Sequence, residues 1–257
     1  MICANVQTTK TIAYDPDTNK WSQKKSIPLN IQGVSHMANA AEGSNIYLMG
    51  GLKQDHGNNW PSAHSISNVF KYNVYYDSWE DLSSLPQTRG GGAAGIINGH
   101  LHFVGGATFV KGKMFTKDHT DHWALDLSNP HGGWKGKASM PGPGRNHLGA
   151  IGHGGKLYVF GGQKLEDEWT TNHDMANVYD PAQNSWKTLS SMPYKLGHIS
   201  PSVVSYGGGI FIVGGAANGS PHNPSALLPR DVANNNGPLG KTSCACFFWV
   251  FFGMFKS

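Results

Sequence analysis

Four copies of one short pattern organise this chain of 257 residues. In each copy an apolar run of four residues precedes a pair of glycines, and the pairs begin at Gly50, Gly105, Gly161 and Gly214. The intervals between the pairs are 55, 56 and 53 residues. A period of about 50 residues is typical of an array of similar units, each of which buries its apolar face against its neighbours. The repeat therefore constrains the fold more than any single residue does.

Three other residue types recur with the same period. A proline follows each repeat tryptophan by seven residues, and a tyrosine precedes three of them by seven. The positions are Trp21, Trp79, Trp134 and Trp186; Pro28, Pro86, Pro141 and Pro193; Tyr14, Tyr72 and Tyr179. The apolar run, Gly-Gly, Tyr, Trp and Pro in this fixed order resemble the kelch repeat over residues 10–217.

The residue pattern alone also favours a propeller. Each unit contains four short runs rich in Val, Ile, Phe and Tyr, separated by Gly, Asn, Pro and Asp, which is typical of strands joined by tight turns. One four-stranded sheet cannot bury both of its faces, so neighbouring sheets must pack around an axis. We therefore predict an all-β, kelch-type β-propeller with no helix longer than about three turns in residues 30–215. Trp79 and Trp186 are predicted to be buried between its blades.

The period also predicts the number of blades. Complete units span about 34–82, 91–137 and 147–189, and the second is irregular because Leu125 replaces the tyrosine and residues 129–133 lengthen a turn. An outer half-blade with Tyr14 and Trp21 precedes them, and an inner half-blade at 202–213 follows. The two halves could pair to give four blades. Because kelch rings commonly have about five to seven blades, we favour an incomplete ring.

The repeat pattern ends at about residue 217. We predict a propeller domain at 6–217 and an irregular tail at 218–257 that is not part of the repeat fold. The tail contains an aromatic run at 244–255, which is shorter than the roughly 20 residues that span a bilayer. Either an interfacial anchor or a sequence discontinuity would explain this run, and the broken period favours the discontinuity. We expect no transmembrane segment and no signal peptide.

Charge and cysteine content bound the function. The formal charge is only +4, and the basic residues are scattered, so nucleic acid is not an expected partner. Cys3, Cys244 and Cys246 lie outside the repeats and do not form a disulfide framework. The segment Arg145–Asn146–His147 and the long polar loops resemble those of secreted kelch proteins. That resemblance implies an extracellular location, although the compartment stays open.

The predicted binding face carries arginine and histidine side chains. In a propeller the first-strand entrances and the loops between the second and third strands open on the same side. We predict ligand contacts from His36, Arg89, Arg145, His147, His198, His119 and His173. Arg89, Arg145 and His198 each precede a glycine pair by 16 residues, which predicts matching positions around the channel. Such side chains favour an anionic ligand. Alternatively, each one hydrogen-bonds a carbonyl of a neighbouring blade.

Metal and cofactor chemistry have weak support in the sequence. Asp118, His119, Asp121 and His122 have the composition of a metal site, but their spacing fits no established ligand pattern, so we expect a solvated loop. The kelch resemblance includes galactose oxidase, whose copper-radical chemistry needs a cysteine inside the propeller. No cysteine lies within a repeat here. We predict no metal, no cofactor and no catalytic residue.

Two functions fit these features. The favoured one is a binding module that holds a protein or a carbohydrate (glycan) ligand on the loop face, and an anionic ligand would fit there. The alternative is a sugar-acid epimerase resembling the kelch-type sialic acid epimerases. In that case Arg89 and Arg145 would hold a carboxylate while a His or Glu moves a proton. The demanding geometry of such an active site favours the binding module.

Overall fold

The computed structural model describes residues 8–29, 33–54, 63–111, 113–164 and 171–217. Within these ranges the protein consists of strands, turns and loops, with no helix. The all-β prediction is confirmed. The predicted tail at 218–257 and all three cysteines lie outside the described residues, and the proposed domain boundary stays a prediction.

Three complete blades form the body of the protein, each a four-stranded antiparallel sheet. Blade 1 consists of β4 (Ala38–Glu42), β5 (Asn45–Met49), β8 (Val69–Asn73) and β9 (Ser78–Asp81). Blade 2 consists of β10 (Ala93–Ile97), β11 (His100–Val104), β14 (His122–Asp126) and β15 (Lys135–Gly136). Blade 3 consists of β16 (Gly149–His153), β17 (Lys156–Phe160), β20 (Ala176–Asp180) and β21 (Ser185–Thr188).

Two half-blades flank the complete ones. The leading outer half-blade is β1 (Thr11–Asp15) with β2 (Lys20–Lys24), and the trailing inner half-blade is β23 (Val203–Tyr206) with β24 (Gly209–Ile212). Each forms a separate two-stranded sheet, and among the described residues they do not pair with each other. The structure therefore shows the predicted three blades and two halves, with the halves apart.

Short strands on one side of the blades form the loop face. In blade 1 and the trailing half-blade they join the entrance of the first strand to the segment that leaves the second strand. In blades 2 and 3 they pair within the loop that follows the second strand, and single bridges, Gly90 with Ala107 and Asn146 with Gln163, reach the entrance. Their bounds are β3 (Gly33–Ser35), β6 (Leu52–Gln54) and β7 (His64–Ser65); β12 (Ala107–Val110) and β13 (Lys113–Asp118); β18 (Gln163–Lys164) and β19 (Thr171–Asn172); β22 (Leu196–Gly197) and β25 (Ala216–Ala217).

The hydrophobic core lies between neighbouring blades. Met49 and Val69 of blade 1 pack with Leu101 and Phe103 of blade 2, and all four are at most 1% exposed. A second cluster joins blade 2 to blade 3 through Val104, Leu148, Leu157, Val159 and Tyr179. Burial of apolar area between sheets, which supplies about 25 cal/mol per Å², is what holds the blades side by side.

The glycine pairs join consecutive blades near the axis. Gly50, Gly105 and Gly161 have φ values of 61°, 66° and 52°, which side chains other than glycine rarely adopt. A Cβ atom on any of the three would lie 2.3–2.8 Å from a carbonyl oxygen of the next blade's entrance. The second glycine of each pair donates its N–H to that same carbonyl at 2.7–2.9 Å. Only glycine permits this close approach, which explains the strict repeat.

A second link joins consecutive blades at their outer edge. The indole N–H of Trp79 donates to the carbonyl of Lys25 over 2.7 Å, and the N–H of Lys25 donates to Asp77 over 2.9 Å. Asp77 also accepts the hydroxyl of Tyr72 at 2.7 Å. These donors, the Lys25 amide first, lower the pKa of Asp77. Blade 1 thus holds both backbone groups of one residue in the half-blade before it, an arrangement that we call the tryptophan clamp.

Blade 3 repeats the clamp. Trp186 donates to the carbonyl of Ala138 at 2.7 Å, and Asn184 accepts the N–H of Ala138 at 3.0 Å. Tyr179 donates its hydroxyl to the Asn184 side chain at 2.8 Å. The side chain that accepts the backbone N–H is therefore itself fixed by the repeat tyrosine.

Blade 2 completes the clamp by another route. Trp134 donates to the carbonyl of Ser83 at 2.7 Å, whereas the N–H of Ser83 donates to the carbonyl of Pro130 at 3.1 Å. Leu125 pairs with Leu101 where Tyr179 pairs with Leu157, so blade 2 has no tyrosine to orient an acceptor. The lengthened turn supplies a backbone carbonyl instead, which explains why both irregularities occur in this unit.

The prediction that Trp79 and Trp186 are buried is only partly right. Both are half-buried, because each indole reaches a carbonyl at the rim of the preceding blade and leaves one edge in solvent. The first repeat tryptophan, Trp21, is 68% exposed.

Replacing Trp186 with Ala should lower the free energy of unfolding by about 2–3 kcal/mol, less than the 3–5 kcal/mol of a fully buried aromatic ring. Trp186→Phe, which keeps much of the apolar contact and removes the donor, should cost about 1 kcal/mol. Tyr76, which is 78% exposed, gives a control as Tyr76→Ala with little effect. Urea unfolding measures all three. If Trp186→Ala unfolds at the parent's midpoint, the clamp does not stabilise the protein.

Candidate functional site

Three of the predicted histidines meet at the axis on the loop face. The ring centroid of His147 lies 4.9 Å from that of His36 and 4.2 Å from that of His198. The three residues have φ values of 56°, 50° and 53°, and Gly91 of blade 2 has 65°. Gly91 donates its N–H to the carbonyl of His36 at 2.9 Å, and His147 donates to that of Gly91 at 2.7 Å. These four residues therefore occupy one equivalent position in successive units.

His198 does not lie at the position that its spacing predicts. The carbonyls held by the glycine pairs of blades 1, 2 and 3 belong to Arg89, Arg145 and Leu196. Leu196, and not His198, is therefore the equivalent of the two arginines. Leu196 precedes its glycine pair by 18 residues, whereas Arg89 and Arg145 precede theirs by 16. The same offset of 16 residues therefore marks a different position in the last unit.

Arg89 is buried in blade 2 beside a carboxylate. Its guanidinium is ion-paired with Asp121 and lies 5.0 Å from the ring centroid of Trp123. It also donates to the carbonyl of Thr88 at 2.8 Å and to the hydroxyl of Thr108 at 3.3 Å. Burial lowers the pKa of Arg89, while Asp121 opposes that shift. The charge of this arginine is therefore balanced within its own blade.

His119 belongs to the same cluster. Its Nε2 atom lies 2.8 Å from the hydroxyl of Thr108, and its Nδ1 atom lies 3.4 Å from a carboxylate oxygen of Asp121. Burial, together with the nearby charge of Arg89, lowers the pKa of His119 to about 4. His119 is accordingly neutral near pH 7 and available as a hydrogen-bonding group.

Arg145 is fully buried in blade 3, and its partners among the described residues are neutral. It donates to the carbonyl of Gly161 at 3.0 Å and to the side chain of Asn177 at 2.8 Å, and it lies 2.9 Å from the sulfur of Met140. Its Nε atom, like that of Arg89, has no hydrogen-bond partner among the described residues. Burial alone lowers the pKa of Arg145 to about 10, so the group still carries its charge near pH 7.

One substitution distinguishes the two arginine sites. Gly105 donates its N–H to the carbonyl of Asp121, and Gly161 donates its N–H to the carbonyl of Met175. Asp121 and Met175 therefore occupy equivalent positions in blades 2 and 3. Blade 3 thus has a thioether where blade 2 has the carboxylate that pairs with its arginine. Among the described residues Arg145 therefore has no counter-ion, and a buried charge without one is costly.

Three positive charges act on one histidine of the same blade. His173 occupies in blade 3 the place of His119, since the N–H of each donates to the second glycine of its pair. Burial lowers the pKa of His173, and the charges of Arg145, Lys195 and Lys164 lower it further, whereas Asp174 raises it. The Nε2 atom of His173 is buried and has no hydrogen-bond partner in the part of the chain that the structure describes. We call His173, Lys164 and Lys195, with Arg145 beneath them, the basic corner.

The central channel has a different character. A cavity of about 280 Å³ lies along the inner strands. Small side chains such as Ala40, Ala94 and Ala150 line it, and Glu42 is its charged lining residue. No arginine or histidine is among its lining residues in the described part of the chain. The predicted ligand-binding residues therefore belong to the loop face and not to this cavity.

The structure contains no metal centre within the residues that it describes, since no three His, Cys, Asp or Glu side chains there are placed to hold an ion. The residues of the segment 118–122, whose composition resembles a metal site, have separate partners. Asp118 accepts a hydrogen bond from Asn146, Asp121 pairs with Arg89, and His122 points into the interface between blades. In the same described ranges no helix is long and apolar enough to cross a membrane.

Comparison with known proteins agrees with this geometry. Kelch-like protein 15 of Danio rerio is 27% identical over 246 residues, covering 88% of this chain and 37% of that protein. Kelch-like protein terF of Aspergillus terreus is 28% identical over 214 residues, covering 81% of this chain and 43% of that protein. The solved structure titled "Structure of YjhT" superposes with a TM-score of 0.56 at 16% identity, covering 72% of this chain and 59% of that one.

This chain is a kelch-repeat β-propeller protein. It spans well under half of the length of the kelch relatives named above. The family described as NANM, N-acetylneuraminate epimerase, matches residues 115–223, which is less than half of the chain. The N-acetylneuraminate epimerase of Pasteurella multocida is 34% identical over 134 residues, covering 51% of this chain and 32% of that enzyme.

The kelch repeat explains which residues the sequence reasoning missed. Lys164 follows its glycine pair at the place where blade 2 has Thr108, and Met175 stands where blade 2 has Asp121. Aligning the units on their glycine pairs would have shown the first difference. Asp121 and Met175 lie 16 and 14 residues after their pairs, so they match only when counted back four residues from Leu125 and Tyr179. Lys195 gives no such signal, because it lies in the loop between units.

Two further histidines lie buried between blades 2 and 3. The Nδ1 atom of His102 is 2.8 Å from Nε2 of His122, whose Nδ1 atom is 3.2 Å from the carbonyl of Ala138. Because a carbonyl only accepts, His122 carries its proton on Nδ1 and accepts one from His102. Burial lowers the pKa of His102 to about 3 and that of His122 to about 4.

This pair should make the propeller sensitive to acid. Both folded pKa values lie below the unfolded value of 6.5, so the unfolded state binds more protons between pH 6.5 and 4, and stability falls as the pH drops through that window. For His122 the loss between pH 7.5 and pH 4 should be roughly 3 kcal/mol. Urea unfolding across this range measures it.

His122→Gln should flatten the pH dependence, whereas His131→Gln, at a side chain that is 66% exposed, should leave it unchanged. Parallel curves for the parent and His122→Gln would show that this histidine does not titrate on unfolding.

Proposed function

We propose that this kelch propeller is a binding module whose basic corner holds a carboxylate-bearing partner on the loop face. The observation that carries the proposal is the buried guanidinium of Arg145, which has no carboxylate partner among the described residues. The equivalent guanidinium of Arg89 has one in Asp121. An anionic group from a ligand would supply in blade 3 the charge that Asp121 supplies in blade 2.

The ligand would reach the corner through its exposed members. Lys164 and Lys195 are exposed, and His173 is half-buried, so an anion can approach them from solvent. Arg145 is 0% exposed. We therefore expect Arg145 to act through its charge and through the position of its neighbours, and Lys164 and Lys195 to bind the ligand directly.

The axial histidines lie on the same face. His36, His147 and His198 form one row of rings, and His147 is linked through Asn146 to Asp118 at the edge of blade 2. Imidazole rings offer both hydrogen bonds and flat apolar surface. An extended ligand held at the basic corner would have this row beside it. Either an acidic protein segment or an acidic glycan fits these groups, because both present carboxylates.

The proposal predicts salt-sensitive binding that depends on two lysines. The probes are a fluorescent peptide of alternating Glu and Ser, a matched Gln and Ser peptide, and a polysialic acid oligomer. Lys164→Ala and Lys195→Ala should each weaken binding of an acidic probe about fivefold, the effect of roughly 1 kcal/mol for an exposed ion pair. Higher ionic strength should weaken it further. Fluorescence anisotropy measures the dissociation constants.

Lys187→Ala is the matched control, since Lys187 is an exposed lysine on the outer strand of the same blade. It should leave the dissociation constant unchanged. Binding of the peptide alone, or of the oligomer alone, distinguishes a protein partner from a glycan partner. Equal affinity for the acidic and the Gln peptides, or equally weakened binding in all three lysine variants, would contradict the proposal.

A second candidate function has its own supporting observation. The NANM family matches residues 115–223, a range that includes Arg145, His147, His173 and His198. On this reading the basic corner would hold the carboxylate of a sugar acid while a neutral histidine such as His173 transfers a proton. Polarimetry or proton NMR of N-acetylneuraminate tests it, with acceleration of anomer exchange expected for the parent and not for His173→Gln. No acceleration by the parent protein would exclude this activity.

A further inference from the structure

The two half-blades carry complementary halves of the links that join every other pair of blades. Each tryptophan clamp holds the residue four positions after the tryptophan of the preceding blade: Lys25, Ser83 and Ala138. In blade 3 that residue is Ser190, which is exposed and whose backbone groups have no partner in the described part of the chain. At the other end, Trp21 donates to no described residue and is 68% exposed. Blade 3 therefore has a residue that no clamp holds, and the leading half-blade has a clamp with no residue to hold.

The first half-blade is already arranged as a clamp. The hydroxyl of Tyr14 donates to the side chain of Asn19 at 2.8 Å, as Tyr179 does to Asn184 in blade 3. Tyr14 is nevertheless 39% exposed, whereas Tyr72 and Tyr179 are 5% and 0% exposed. The hairpin has therefore formed the donor and acceptor geometry, but nothing covers it among the described residues.

The strand edges are complementary as well. In blade 3, Leu157 pairs with Tyr179 and Val159 with Asn177, and blade 1 has the equivalent pair of Ile46 with Tyr72. Applied to the two half-blades, this register places Ile210 of β24 opposite Tyr14 of β1. Ile212 then lies opposite Ile12.

Apolar side chains at both ends remain exposed. Ile12 is 64% exposed in the leading half-blade, and Phe211 and Val213 are 51% and 67% exposed in the trailing one. Gly214 has no described atom within 4 Å of where a Cβ would lie, although the glycines equivalent to it each touch the next blade's entrance. Unpaired strands and exposed apolar side chains of this kind both favour burial against a partner.

We propose that the occupant of each open end is the other end of a second copy of this chain. The trailing half-blade of one copy would pair through β24 with β1 of its partner, and Trp21 with Asn19 of the partner would hold Ser190. A two-fold axis along the channel forms both interfaces at once. Each copy contributes three complete blades, and each of the two interfaces forms one more blade from two half-blades. The closed ring then has eight blades, within the usual range of about four to eight for propellers. The second copy is favoured over closure within one chain because the two half-blades, though on one chain, are not paired.

Light scattering of the full chain should give twice its mass of 27.7 kDa. Trp21→Phe, which removes only the indole donor, should raise the dissociation constant of the dimer about fivefold for each hydrogen bond that it removes from the interface. Trp134→Phe makes the same chemical change in an internal clamp, so it should lower the unfolding midpoint and leave the dissociation constant unchanged. A monomeric parent, or equal effects of both variants on association, would overturn the proposal.

A disulfide test keeps Trp21 intact and distinguishes pairing with a second copy from closure within one chain. Ile12→Cys and Ile212→Cys are made in separate proteins in which Cys3, Cys244 and Cys246 are replaced by serine. Directly opposed strand residues are close enough for a disulfide. Mixing the two proteins under mild oxidation should give a disulfide-linked heterodimer, while each protein alone should give none. A doubly substituted chain that forms its disulfide within one chain at high dilution would show self-closure and overturn the proposal, as would a mixture that gives no heterodimer.

Discussion

The structure depends on the requirement that each four-stranded sheet be held against the next at both its inner and its outer edge. Near the axis a glycine pair receives a carbonyl from the following blade, and only glycine leaves room for it. At the rim a tryptophan clamp of the following blade holds both backbone groups of one residue. The apolar core between the sheets supplies most of the stability, and these two links set the distance and angle at which it forms.

This requirement explains how much of the fold was predictable from sequence. Glycine, tyrosine and tryptophan recur because each has a fixed partner in the neighbouring blade, so their period marks the blades directly. The all-β propeller, its three complete blades and the irregular second unit were all predicted. Even that irregularity has one cause, since Leu125 cannot orient an acceptor and the longer turn provides the carbonyl of Pro130. The half-burial of Trp79 and Trp186 was missed because a periodic tryptophan signals a contact but not how deeply the ring is covered.

The candidate site was less predictable, because spacing along the chain measures position only when the intervening strands have equal lengths. Two additional residues in the last unit made His198 resemble Arg145 in spacing, although it lies at the position of His147. The side-chain partners Asp121 and Asn177 lie 32 residues along the chain from their arginines. Sequence alone therefore did not show that Asp121 balances Arg89, whereas the described residues give Arg145 no carboxylate. Whether the seven predicted residues contact a ligand stays a prediction, and the structure groups them into an axial histidine row and two arginine clusters.

The most direct test of this account is amide hydrogen exchange at the residues that the clamps hold, measured by NMR in the parent and in Asn184→Ala. In the parent, the amides of Lys25 and Ala138 should exchange slowly, because each donates a hydrogen bond to a clamp. In Asn184→Ala, exchange should become fast at Ala138, which loses its acceptor, and stay slow at Lys25, which Asp77 still holds. Fast exchange at Ala138 in the parent, or exchange there that Asn184→Ala does not change, would contradict the claim that these links join the blades.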